Sequence, residues 1–259
     1  MELKEWRRLS VQSVALFLVV LLCCICFAEQ LQEDTRKIVC AEVNSTNEDA
    51  DKAERTASDP EQTEEKTEKV KKKIVVIDAG HGGIDEGTIS QNGKYLEKEY
   101  TLLVAKRLEK LLKEKGIIVY CTRTDDSYIT KKERVKRAKQ VKADLLISIH
   151  CNASNVGDTT SNGIETLYSK RKTNNVALTN KKLATIMLDG LEKETNLRKR
   201  GSIMRNKLYV LRHADMPATI IEIGYMSNAK DLNFIRKESG QQKIAQGICN
   251  GVVWALEES

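Results

Sequence analysis

Residues 144–150, DLLISIH, decide the fold. After Asp144 the segment is apolar or small at every position until it ends in a histidine, and it is too short for a buried helix. Such a run reads as a strand covered on both faces. Working outward, IVVIDA from Ile74, IIVYCTR from Ile117, GIETLYS from Gly163, LYVLR from Leu208 and TIIEIGY from Thr219 have the same character. Between them the apolar period lengthens to that of helices. Residues 97–115 place Tyr100, Val104, Leu108 and Leu111 on one face, with Gly116 as a stop. Thr130 and Glu133 make a capping box for a second helix. A third is expected over 175–194, with Val176, Leu183, Met187 and Leu191 inward, and a last over 241–257. Strands alternating with helices predict a single α/β domain, with a mainly parallel twisted sheet flanked by helices on both faces. Ligands of such sheets sit beyond the carboxyl ends of the strands.

This domain is expected over 74–259, because apolar residues become frequent enough to build a core only from Ile74. Ahead of it, residues 29–73 are rich in Glu, Lys, Asp, Thr and Ser and read as a disordered charged linker. Residues 1–28 open with Lys4, Arg7 and Arg8 and continue as an uncharged apolar run from Val11 to Ala28. That is the layout of a signal peptide, with Cys26-Phe27-Ala28 as a cleavage site, or of an uncleaved membrane anchor through residues 11–28. Either delivers the domain outside the cytoplasmic membrane.

Charge follows the same division. The net +6 is composed of +1 over 1–28, −4 over 29–73 and +9 over 74–259. A basic domain suits an anionic partner, although a solvated lysine-rich surface gives the same count. The scattered cysteines offer no CxxC spacing and so signal neither a thiolate metal site nor a disulfide framework.

Two of the 3 histidines stand at strand ends. His81 follows IVVIDAG among Gly80, Gly82 and Gly83, and His150 closes the segment quoted above. Both emerge at one edge of the predicted sheet. The glycine turn lacks the GxGxxG spacing and any P-loop lysine, which argues against a nucleotide site. Two glutamates accompany the histidines. Glu97 opens a helix, where a carboxylate gains from the dipole. Glu222 interrupts the apolar strand TIIEIGY, where a carboxylate needs a partner or a role. Two histidines and one glutamate match the protein ligands of a catalytic zinc site, and a second glutamate can serve as the base for a water. Spacing alone does not make them converge.

IDAGHGG, LEKEYTLLVAKRL, VYCTRTDD, ADLLISIHCNAS, GIETLYS and LRHADMPATIIEIGYMSN occur in this order from Ile74 to the C-terminus. The sequence thereby resembles the zinc-dependent N-acetylmuramoyl-L-alanine amidases called amidase 3. The resemblance implies a twisted sheet between helices and one zinc ion held by His81, Glu97 and His150. It also implies Glu222 as the catalytic residue and peptidoglycan as the partner, cut between N-acetylmuramic acid and L-alanine of the stem peptide. Asn152 stands as a substrate contact or a turn-stabilising residue. Ala79 departs from a proline common in the family's first motif, and His213 carries no family role and reads as a loop or pocket-rim residue. Only a short polar segment separates Asn152 from Gly163, so no inserted inhibitory helix is expected there. A protein activator is not indicated by any motif. Rival readings are a catalytically dead wall-binding module and a zinc exopeptidase or deacetylase. Nucleic-acid binding lacks aromatic stacking positions and does not suit export.

Overall fold

A computed structural model describes residues 72–155 and 157–258. The signal or anchor expected over 1–28, and all of the linker expected over 29–73 but Lys72 and Lys73, lie outside the described residues. Among the described residues no helix is long and apolar enough to cross a membrane.

Six strands form one sheet: β1 (Ile74–Ala79), β2 (Ile118–Cys121), β3 (Leu145–Asn152), β4 (Ile164–Tyr168), β5 (Lys199–Met204) and β6 (Ala218–Tyr225). Their order across the sheet is β2-β1-β3-β6-β4-β5. β2, β1, β3 and β6 run parallel, and β4 and β5 run parallel to each other. The β4–β6 pair is the antiparallel one. The helices are α1 (Glu97–Glu114), α2 (Lys131–Gln140), α3 (Asn180–Thr195), α4 (Tyr209–His213), α5 (Ala229–Arg236) and α6 (Glu238–Glu257).

Side chains alternate across the sheet, and each face carries its own core. Val75, Ile77, Ile147, Ile149, Ile221 and Ile223 point to one face, where they pack with Val104, Leu108, Leu183, Met187, Ile244 and Ile248 of α1, α3 and α6. Val76, Leu146, Leu167 and Ile220 point to the other, under Val135 and Ala138 of α2 and Val210 and Leu211 of α4. The expected α/β architecture is therefore present, with helices on both faces of a mostly parallel sheet.

Several elements differ from the sequence reading. LYVLR is not a strand: Tyr209–His213 forms a short helix, with Val210 and Leu211 buried against the second core. Adjacent apolar residues fit one turn of helix lying on a core as readily as a strand, so length five could not arbitrate. The third helix begins at Asn180, capped by Thr179, whose hydroxyl accepts the Lys182 amide. Val176 precedes it and is 93% exposed, while Leu183, Met187 and Leu191 are buried as expected. On α1, Leu112 is fully buried where Leu111 was expected and Leu111 is only half-buried. The strand Lys199–Met204 and the helix Ala229–Arg236 were not anticipated. β5 lies at the sheet edge with a basic, largely open sequence that carries no apolar alternation. Thr130 caps α2 as predicted, accepting the Glu133 amide at 3.2 Å.

Candidate metal centre

The parallel strands bring their carboxyl ends to one edge, and His81, His150 and Glu222 stand there. β3 and β6 pair so that His150 lies directly opposite Glu222, and Glu222 in turn lies opposite Glu165 of β4. His81 sits one residue beyond the Gly80 that follows β1, with φ +60°, in the left-handed region that a non-glycine residue seldom adopts.

Two buried arginines hold that turn by its carbonyls. Arg123 donates to the oxygens of Ala79 and Gly80, and Arg134 donates to those of Ala79 and His81. Arg134 also pairs with Asp78 at 2.6 Å, and Asp78 accepts from Thr122 and Ser148. Burial works to raise the Asp78 pKa, but Arg134 and these hydroxyls overcome it and hold the carboxyl below its usual range. A charged and fully hydrogen-bonded girder therefore lies beneath the site.

Glycine is required where the donors crowd the backbone. A Cβ at Gly80 would stand 2.5 Å from His150 Cε1, and one at Gly87 would stand 2.6 Å from His81 Cδ2 and 2.7 Å from Glu97 Oε2. Both placements lie well inside van der Waals contact.

Glu97 begins α1 and is buried. Its Oε2 accepts the Thr88 amide at 2.7 Å and its Oε1 accepts the Cys151 amide at 2.9 Å, which aims Oε1 at the histidines. Three donor atoms then meet. Glu97 Oε1 lies 3.1 Å from His81 Nε2 and 3.0 Å from His150 Nδ1, and the two nitrogens are 3.2 Å apart. Metal bonds of about 2.0–2.1 Å at tetrahedral angles would set such donors about 3.3 Å apart. The triangle thus fits one first-row ion with little movement. His81 Nδ1 lies 2.8 Å from Asp85 Oδ1, an orienting bond that leaves Nε2 free to ligate when the ring is neutral. In the bare cluster, burial works to raise the Glu97 pKa, and hydrogen bonds from His150 and His81 outweigh it and draw it far down. Burial disfavours charge on His150, yet its bond to Glu97 raises its pKa. The carboxylate is thus held ionised, as a ligand must be.

Glu222 behaves differently. Its Oε2 is buried and has no hydrogen-bond partner. Desolvation lifts its pKa to about 7, with His150 opposing and Glu97 and Glu165 adding to the rise. With His81, His150 and Asp85 it lines a cleft of about 430 Å³, whose floor includes Leu167, Val210 and Ile220. A carboxylate poised near neutrality beside a metal-donor cluster suits general base and acid work.

The cluster His81, Glu97 and His150 is the group of potential metal donors found among the described residues. Asn152 does not join it: its Nδ2 donates to Glu165 Oε1 and its Oδ1 accepts the Ala153 amide, so the side chain is engaged within the protein. His213 ends α4, stacked on Tyr209 at 3.9 Å and bonded to the Tyr209 carbonyl, and is not part of the donor cluster. Asp85, Arg134 and Asp78 escaped the sequence reading. Asp78 interrupts IVVIDA just as Glu222 interrupts TIIEIGY, and the same argument could have singled it out. Glu165, buried between Asn152 and Arg200, carries that signal too.

An α/β sheet with three convergent metal donors and an unpaired carboxylate at its carboxyl edge is an arrangement suited to metal-assisted hydrolysis. Residues 75–253 match the model of the amidase 3 family, described as N-acetylmuramoyl-L-alanine amidase, and the chain belongs to that family. It is 36% identical over 184 residues to "Probable cell wall amidase LytH" of Staphylococcus epidermidis, a match covering 71% of this chain and 58% of that protein. The chain thus spans little more than half the length of that relative. Among solved structures, the catalytic domain of CwlV, an N-acetylmuramoyl-L-alanine amidase from Bacillus (Paenibacillus) polymyxa var. colistinus, is 38% identical with a TM-score of 0.65, covering 72% of this chain and 99% of that one. An N-acetylmuramoyl-L-alanine amidase from Clostridium difficile 630 is also 38% identical, with a TM-score of 0.67, covering 73% of this chain and 98% of that one.

Proposed function

We propose that the chain is a zinc-dependent peptidoglycan amidase that cuts the amide between N-acetylmuramic acid and the L-alanine of the stem peptide. The observation that carries this reading is the meeting of His81 Nε2, Glu97 Oε1 and His150 Nδ1 beside the unpartnered carboxylate of Glu222. The donor set of two imidazoles and one carboxylate is that of catalytic zinc sites, and family membership supports the bond attacked.

In this reading His81, Glu97 and His150 hold the ion, and Asp85 fixes the tautomer and tilt of His81. A bound zinc ion supplies Lewis acidity, which polarises the scissile carbonyl and makes a water easier to deprotonate. Glu222 accepts the proton of the attacking water and returns it to the departing alanine nitrogen. Burial raises its pKa in the metal-free chain, and a bound cation would act against that rise, favouring the ionised form that a base needs. Leu167, Val210 and Ile220 give the same cleft an apolar portion of its lining. Asn152, whose amide donates to Glu165 opposite Glu222, is a substrate contact in this reading.

The location belongs to the same proposal. Residues 1–28 export the domain, which is either released to the wall by cleavage of a signal peptide or tethered to the outer face of the cytoplasmic membrane through residues 11–28, with peptidoglycan as substrate. The test is incubation of a defined muramoyl-peptide with the protein. A free L-alanine amino terminus, with no new sugar reducing end, is the expected product. New reducing ends, or cleavage between two amino acids of the peptide, would contradict the assignment.

A further inference from the structure

A second cleft lies at the other end of the sheet. β4 runs antiparallel to β6, with Glu165 opposite Glu222, so the chain leaving β4 at Tyr168 emerges where β6 begins. Two contacts fix it there: the Ala218 amide donates to Asn180 Oδ1, and the Asn174 amide donates to the Asp215 carbonyl. Residues 168–181 enclose a cleft of about 660 Å³ on this edge, remote from the metal donors.

Its lining is one-sided in charge. Lys170, Arg171, Lys172 and Lys181 contribute, and no carboxylate does. Arg171 is engaged, donating to the Ala214 carbonyl and to Asp215. Lys170, Lys172 and Lys181 are exposed, and none of their ammonium groups meets a carboxylate among the described residues. Some surface lysines elsewhere are balanced by carboxylates. Lys199 meets Asp189 and Glu192, Lys182 meets Glu258, and Lys113 meets Glu109. Like charges gathered in a concavity reinforce one another's field and raise the local concentration of anions. The neighbouring backbone is rigidly set, with Asn175 Oδ1 accepting the Leu178 amide and Thr179 capping α3. Tyr168 is the one aromatic ring in this lining, so the cleft offers no ladder for stacking bases.

We infer that this cleft is a non-catalytic binding site for a phosphodiester-linked polyanion, held by Lys170, Lys172 and Lys181. A concave site takes a chain of phosphates where a flat membrane would need a protruding basic face. A polymer bound there leaves the opposite edge, with His81, His150 and Glu222, open to substrate. Binding therefore retains the domain on a phosphate-bearing matrix without competing with the hydrolytic site, and the inference does not depend on which amide is cut.

The test uses the full chain and poly(glycerol phosphate) as probe, with affinity measured across a range of salt concentrations. The Lys170→Gln/Lys172→Gln/Lys181→Gln variant is expected to bind at least about tenfold more weakly, and the slope of log affinity against log salt to shrink by roughly 2. A variant with the same charge change on α1, Lys106→Gln/Lys110→Gln/Lys113→Gln, is expected to bind as the wild type does. Both are expected to cleave a small muramoyl-peptide at the wild-type rate. Equal weakening in the two variants would mean that net charge alone attracts the polymer and would overturn the site. Unchanged binding in the first variant would overturn it too. So would tight binding to vesicles of anionic phospholipid without binding to the free polymer.

Discussion

His150 and Glu222 stand directly opposite each other on β3 and β6, yet their polar atoms have opposite fates. His150 Nδ1 closes the donor triangle at 3.0 Å from Glu97, whereas Glu222 Oε2 is buried without a partner. The strand register fixes this pair, because a slip of one residue would carry Glu222 to the opposite face. Replacing Glu222 by Gln keeps the shape and removes the base. Hydrolysis should fall by about 10²–10⁴-fold while metal content, measured by atomic absorption, stays at one ion per chain. A variant that lost its metal would make Glu222 a ligand and not the base.

The raised pKa of Glu222 has a consequence for stability. The metal-free folded chain keeps a proton on this carboxyl up to about pH 7, while the unfolded chain releases it near the ordinary value of 4.5. Stability contributed here is therefore present at low pH and declines as pH rises through that window. The metal-free Glu222→Gln variant should melt with the wild type at pH 5 and several degrees above it at pH 8, a gain on the order of 1–2 kcal/mol. Equal melting temperatures at both values would show that solvent already satisfies the carboxylate.

Asp85 is 2.8 Å from His81 Nδ1 and 41% exposed in its side chain. Its replacement by Ala leaves all three donors in place and frees the ring. Metal affinity should weaken by roughly 10–100-fold, read from competition with a chromogenic chelator, with little change in melting temperature of the metal-free form. An unchanged affinity would mean that the turn alone orients His81.

The girder beneath the site is predicted to matter for folding. Removing Arg134 as Arg134→Met leaves Asp78 charged and fully buried, which should cost on the order of 3–5 kcal/mol. Adding Asp78→Asn should recover part of that loss, because the stranded charge disappears with it. Denaturant unfolding of the single and double variants measures both. Additive losses would show that the pair is not coupled.

Most of the fold was legible because its central strands are apolar on both faces and end in unlike residues. IVVIDA, DLLISIH and TIIEIGY were readable as strands, and their terminal His81 and His150 pointed to one edge. The convergence with Glu97 was not readable, since it depends on the Thr88 and Cys151 amides that aim the carboxylate. LYVLR misled because Val210 and Leu211 bury equally well from one helical turn. Lys199–Met204 was silent because an edge strand with basic residues has no alternation to detect. Asn152 was read as a substrate contact or a turn-stabilising residue, and its pairing with Glu165 could not be read from spacing.

The central claim is metal-dependent cleavage of the muramoyl-alanine bond with Glu222 as the base, and digestion of purified peptidoglycan tests it most directly. Wild type, wild type stripped by a chelator, the stripped protein with zinc restored, and Glu222→Gln with zinc bound are compared for new N-terminal alanine. The account predicts release by the first and third, none above background by the second, and release lowered by at least about 100-fold by the fourth. Release that persists without metal, or that Glu222→Gln sustains at the wild-type rate, would contradict it.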